Sequence, residues 1–330
     1  MAMYLKTINS LDAVSETLQT SAYLNIFWND TFLTWNSTDY EGMDNMVWPQ
    51  TSNSVECFAQ YGVELSVFSG RSSPSWTVDR NNPLYPRIAA RINRARSTRM
   101  SEKLGYSGFV VEMKNPFGQR VFKTVGAGTN PRLELLLLNS SPYPIERSVR
   151  RHVIDTLRRS TPPQPYINLQ ARFPDKPSFR VRSCRIPRFD PENWNVPPTI
   201  RRNNCYNYAT QRQTNSFAQP GRASGRGFSR PMTARSVLSA TFRDGLIPLP
   251  FFNPRMFPGI CYIALAIWPD TDYHFYRLDS NMLWSHKPGK TMAKNTDNSG
   301  DLIVDPRHAD RGQYTIFAGY LGNHPGVRVI

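Results

Sequence analysis

Cys205 stands in the run Asn203-Asn204-Cys205-Tyr206-Asn207-Tyr208-Ala209, directly after an asparagine of the kind that caps helices. A thiol there sits at the first turn of a helix, where free backbone N–H groups favour thiolate over thiol. A thiolate that attacks a carbonyl needs a base beside it, and His274, in Asp272-Tyr273-His274-Phe275-Tyr276-Arg277, is the leading candidate. His286, in Trp284-Ser285-His286-Lys287-Pro288-Gly289, competes for that role. Asn295, Asp297 and Asp305 follow downstream and are available to orient the ring. The Cys205 backbone N–H, with an amide from Asn204 or Gln219, would hold the oxyanion. The chemistry this set would carry is hydrolysis of a peptide or amide bond. A cysteine among aromatic residues and a histidine between Tyr273 and Phe275 read equally well as packing residues, so the sequence leaves open whether the chain is an enzyme.

These residues need particular elements to hold them. A helix beginning at Cys205 and strands over Ile260 to Ile267 and Asp272 to Arg277 would bring thiol and imidazole to one layer. Leu302 to Val304 and Tyr314 to Leu321 add two more strands, giving a helix-plus-antiparallel-sheet lobe over 200–330. Cys205-Tyr-x-Tyr-Ala is similar to the Cys-Trp-x-Phe-Ala pattern after the nucleophile of papain-like cysteine peptidases. That resemblance implies the chain order cysteine, strand-borne histidine, then Asn or Asp, and the order here agrees. The loop from Gln219 to Gly227 lacks the Gly-x-x-x-x-Gly-Lys-Ser/Thr of a phosphate-binding loop, and it reads as an exposed connection or the border of a cleft.

Residues 55–159 read as a small basic α+β unit. A strand at Val63, strands over Tyr106 to Met113 and Arg120 to Val125 around an Asn115-Pro116-Phe117-Gly118 turn, and a helix or strand over Arg132 to Leu138 are expected. Ile88, Ile92 and Ala95 mark one face of a helix that Gly105 would stop, and the helix bears Arg87, Arg91, Arg94, Arg96 and Arg99. A second basic helix runs from Ile145 to Arg159. Prolines crowd residues 160–199, which read as a linker or wrapping arm.

Net charge is +15, yet residues 1–50 carry −5 and leave +20 for the rest, as though two pieces had been joined. The basic piece suits nucleic acid or an anionic surface, or simply a solvated face. The acidic N-terminal piece has strand-like runs, YLNIFW and FLTW, separated by Asn29-Asp30. Its pattern of Leu5, Ile8, Leu11-Asp12, Trp28-Asn29-Asp30, Leu33, Trp35-Asn36, Asp39-Tyr40, Gly42 and Pro49 resembles the first two strands and following loop of the Cys-loop, neurotransmitter-gated ion channel ligand-binding domain. The resemblance implies that residues 1–50 are a two-strand fragment of a β-sandwich, with Tyr23 offering its ring to an amine ligand and Trp28 and Trp35 in the core. It ends at Gln50. No Trp-x-Pro-Asp segment, no cysteine pair enclosing 13 residues and no vicinal cysteine pair follow, so the fragment does not form a channel alone.

The fold class expected is α+β. The four cysteines, Cys57, Cys184, Cys205 and Cys261, lack metal-ligand spacing, so no metal and no cofactor is indicated and reduced thiols are favoured. The longest apolar run, Phe257 to Trp268, is short of the roughly 20 residues of a membrane crossing. No signal peptide is visible, which points to the cytoplasm, whereas the channel resemblance points outside the cell or to its membrane. Three functions remain open: ligand binding by the N-terminal fragment, thiol-dependent hydrolysis at Cys205 and His274, and a non-catalytic basic binding module.

Overall fold

A computed structural model of the chain describes residues 8–12, 17–20, 60–114, 119–158, 167–168, 183–254 and 259–330. Met1–Ser54 and Val55–Ile330 are separate compact units. In the first, β1 (Ile8–Asp12) pairs antiparallel with β2 (Thr17–Thr20), setting Leu11 opposite Leu18. Tyr23, Trp28, Trp35 and Cys57 lie outside the described residues, as does the turn at 115–118.

The second unit is an α+β structure with two sheets. β3 (Gln60–Ser66), β4 (Ser75–Asp79), β5 (Gly108–Lys114) and β6 (Arg120–Gly126) form an antiparallel sheet in the order β4-β3-β5-β6. Period-two alternation puts Tyr61, Val63 and Leu65 of β3 in the core. Helices α1 (Tyr85–Arg94), α2 (Pro131–Asn139) and α3 (Arg147–Arg158) bury Ile88, Ile92, Leu133, Leu137, Val149 and Val153 in the same core. The 132–138 segment is therefore helix, its N-terminus capped by the Asn130 side chain, which accepts from the Leu133 N–H at 3.2 Å.

Helix α1 ends at Arg94, earlier than the stop expected at Gly105. The Lys123 ammonium, on β6, donates to the carbonyls of Ile92, Asn93 and Ala95 and satisfies the helix terminus there. The chain then follows β6, where the Thr98 N–H donates to the Thr124 carbonyl at 2.8 Å.

The other sheet holds β7 (Ile167–Asn168), β8 (Ile247–Leu249), β9 (Cys261–Trp268), β10 (Asp272–Leu278), β11 (Trp284–His286) and β12 (Ile316–Asn323), in the order β11-β10-β9-β12-β7 with β8 also on β12. Among the described residues, only β7 pairs in parallel. Short helices α4 (Glu192–Asn195) and α5 (Thr199–Arg202) precede α6 (Cys205–Thr210), and α7 (Ala234–Arg243) follows. Strand β9 is buried along its whole length because both its faces are covered. Tyr262, Ala264 and Ala266 join the core shared with the first sheet, while Ile263, Leu265 and Ile267 pack with residues of α6 and α7. At 302–304 only isolated bridges form in place of the expected strand, Trp284 with Ile303 and Thr296 with Leu302.

Cys184 and Cys261 form a disulfide, with Cα atoms 5.7 Å apart, which corrects the expectation of reduced thiols. The pair is 77 residues apart in sequence, so no spacing motif announced it.

Candidate functional site

Asn204 and Asn207 build the start of α6 between them. The Asn204 side-chain oxygen accepts from the N–H groups of Tyr206 and Asn207, and the Asn207 oxygen accepts from Asn204 N–H and Ala218 N–H, a reciprocal capping box. Cys205 thus takes the first position of α6, as the sequence suggests. Its surroundings, however, are closed to solvent. Burial, with the Asp272 carboxylate nearby, pushes the thiol up to about 12, outweighing the Phe275 N–H that points to it; the Ser69 hydroxyl lies beside it as well. Its Sγ lies 3.9 Å from the Tyr273 carbonyl.

His274 and His286 come together across β10 and β11. His286 Nε2 lies 2.9 Å from the Thr296 carbonyl, which can only accept, so this nitrogen carries the proton and His286 Nδ1 is an acceptor. His274 Nε2 therefore donates to His286 Nδ1 at 2.8 Å, and His274 Nδ1 accepts from the Ser69 hydroxyl. Both rings are neutral. Burial lowers His274 well below the ordinary histidine value, and burial with the nearby Lys294 ammonium lowers His286 to about 3. The result is a directional chain from Ser69 through His274 and His286 to Thr296, with the Cys205 thiol beside its first member.

Asp297 has a different job. Its carboxylate accepts from the N–H groups of Ser299, Asp301 and Asp310 and shapes its own loop, and it is the carbonyl of its neighbour Thr296 that orients His286. Asp305 is bound to Arg307 and Tyr320, and the Asn295 carbonyl accepts from the Ile303 N–H.

Sequence reasoning missed the loop after β3. The fully buried Asp272 carboxylate accepts from Ser69 N–H at 2.6 Å, Gly70 N–H at 3.2 Å, Arg71 N–H at 3.2 Å and the Tyr314 hydroxyl at 2.6 Å. The Gly70 carbonyl is met by Asn204 Nδ2 at 2.7 Å, Gln219 Nε2 at 2.8 Å and the Tyr273 hydroxyl at 2.9 Å. Both amides singled out as oxyanion donors thus converge on one backbone oxygen of this chain. Ser69 and Gly70 are far from Cys205 in sequence and carry no motif, so only the period-two strand preceding them hinted at their place.

The basic residues lie elsewhere. Arg87, Arg91 and Arg94 are exposed along α1 and, with Ala90, Ala95 and Asn130, line a groove of about 470 Å³. Among the described residues no three His, Cys, Asp or Glu side chains are grouped to hold a metal ion, and no helix is long and apolar enough to cross a membrane.

A protein of Ruditapes philippinarum called insoluble matrix shell protein 1 is 59% identical to this chain over 151 residues, which are 45% of this chain and 97% of that protein. The chain belongs to the insoluble matrix shell protein 1 family. Its N-terminal segment carries a second likeness, since the family model described as neurotransmitter-gated ion-channel ligand binding domain matches residues 1–54. The match agrees with the resemblance read over residues 4 to 50. No solved structure matches the chain. Neither comparison points to papain-like peptidases.

Proposed function

We propose that this chain is a component of an insoluble extracellular matrix. The observation that carries the reading is its 59% identity to a protein named for an insoluble shell matrix, across 97% of that protein's length. The Cys184–Cys261 disulfide supports it, because such bonds persist in oxidising compartments outside the cytosol. Sequential extraction of the tissue that makes the protein tests this, with detection by antibody. The protein is expected in the residue left after salt washes, released by chaotrope with reductant. Recovery in the cytosolic supernatant with a reduced Cys184 would overturn it.

A second reading rests on the chain of contacts from Cys205 past Ser69 to His274 and His286. In it, Cys205 Sγ attacks a peptide or amide carbonyl, His274 Nδ1 takes the thiol proton and returns it to the leaving amine, and water releases the acyl group. The Ser69–Arg71 loop would have to move aside first. Amide turnover that disappears in Cys205→Ala is the expected result, and turnover equal in the variant and the parent rejects it.

The match over residues 1–54 supports a ligand-binding role for that segment, with Tyr23 contributing a π-face to an amine. Calorimetric titration with a quaternary amine should give heat that Tyr23→Ala removes; a null titration of the parent chain excludes this role.

A further inference from the structure

Helix α1 presents Arg87, Arg91 and Arg94 at intervals of four and three residues, which puts them on one face. All three are exposed, and among the described residues none of their guanidinium groups makes an ion pair or hydrogen bond. From Arg80 to Ser101 the sequence contains no acidic residue. Glu134, which accepts from the N–H of the groove residue Asn130, is buried and also held by the Tyr106 hydroxyl and the Gly128 N–H, and it pairs with none of the three arginines. The Lys123 ammonium covers the carbonyls at the C-terminal end of α1, which removes the negative pole that would otherwise offset the arginines.

Ala90 and Ala95 line the groove beside the three arginines and give it a little apolar surface. Along the axis the three stems are spaced by about 6 Å and about 4.5 Å, from the helical rise per residue. A row of three cations along the axis suits a chain carrying repeated oxyanions. Guanidinium forks pair with sulfate and carboxylate oxygens through two parallel hydrogen bonds. No aromatic side chain lines the groove, so it offers no platform on which nucleobases could stack.

We propose that the α1 groove is a binding site for an anionic polysaccharide, with Arg87, Arg91 and Arg94 as its contacts. The site stands on the charge and geometry of α1, and it rests on the matrix reading only for the choice of a polysaccharide over nucleic acid.

The test is binding of the full chain to dextran sulfate, to unsulfated dextran and to duplex DNA over a range of salt concentrations. Three proteins are compared: the parent, Arg87→Gln/Arg91→Gln/Arg94→Gln, and Arg147→Gln/Arg151→Gln/Arg158→Gln on α3. The α3 variant loses the same charge from exposed positions outside the groove. Glutamine keeps helix propensity, so both variants should fold. Expected is saltable binding of dextran sulfate and none of dextran. The log–log salt slope should fall by about one unit per arginine removed, about three in all, in the α1 variant only. Equal losses in the two variants would mean attraction by net charge alone and overturn the site. Tighter binding of DNA than of dextran sulfate would overturn the polysaccharide assignment and leave the groove standing. Failure of the matrix reading would show separately, in the extraction experiment.

Discussion

Ser69 of the Ser69–Arg71 loop lies beside the Cys205 thiol, and the packing of that loop turns on Gly70. A Cβ built at Gly70 falls inside 3.0 Å of three atoms of the Tyr273 ring. The ring has nowhere to go, since it is fully buried, packed edge-on against Phe228 and Phe275, with its hydroxyl 3.0 Å from Gln219 Oε1. In Gly70→Ala the strain of overpacking, about 1–3 kcal/mol, is relieved most cheaply by lifting the loop. Lifting surrenders the three donors on the Gly70 carbonyl and the N–H groups on Asp272, all at one loop. If labelling of Cys205 requires that opening, its rate with iodoacetamide should rise about 5- to 150-fold, at a factor of ten per 1.36 kcal/mol. The rate is read at the Cys205 peptide by mass spectrometry, beside a urea titration of the same protein. A Cys205 rate within about twofold of the parent, in a variant that folds, would refute the loop as the cover of the thiol. A rise that merely tracks the loss of global stability would show that the loop does not open by itself.

Burial holds His274 low, His286 at about 3 and His152 at about 4, so these rings are neutral in the folded chain and titrate near 6.5 when unfolded. Below about 6.5 the unfolded state binds more protons, so stability is complete above that pH and falls as pH drops, by up to about 1.4 kcal/mol per pH unit for each ring. Urea midpoints at pH 7.5 and pH 5 check this, and equal midpoints would contradict it. Lys287 is buried, its ammonium donating to the carbonyls of Ile200, Asn203 and Gly289, and burial brings it down to about 7. Lys287→Met strands three acceptors and should cost about 3 kcal/mol or more, read from the same titration. Opening the Cys184–Cys261 disulfide, which closes a separation of 77 residues, should lower stability by as much as about 4.5 kcal/mol, seen as a lower urea midpoint in reductant. An unchanged midpoint in Cys184→Ser/Cys261→Ser would show that the bond constrains nothing.

Local chemistry was readable in the sequence wherever a short stretch fixes its own structure. Asn204 before Cys205 announces a capped helix, and the apolar run over 261–267 announces a buried strand, because each depends on neighbours a few residues away. The α1 helix was legible from Ile88 and Ile92, yet its end was not, since a lysine from β6 supplies what Gly105 would have supplied. The site shows the same limit more sharply. Cys205, His274 and His286 could be picked out by residue type, whereas Ser69, Gly70 and the Thr296 carbonyl were invisible because they act through backbone atoms or through a hydroxyl brought in by a distant loop.

The two polar features of the second unit are tied differently to water, and that difference orders the proposals. At Cys205 the Ser69 and Gly70 N–H groups and the Asn204 and Gln219 amides already have acceptors inside the fold, so any chemistry there must first break the Asp272 and Gly70 contacts. On α1 the guanidinium groups keep their hydration and their charge uncancelled, so an anion meets them with no internal bond to break. Binding at the groove can therefore occur in the folded chain as it stands, while thiol chemistry needs an opening step whose rate sets its pace. Polyanion binding that survives Gly70→Ala unchanged, alongside faster Cys205 labelling, would show the two to be energetically independent.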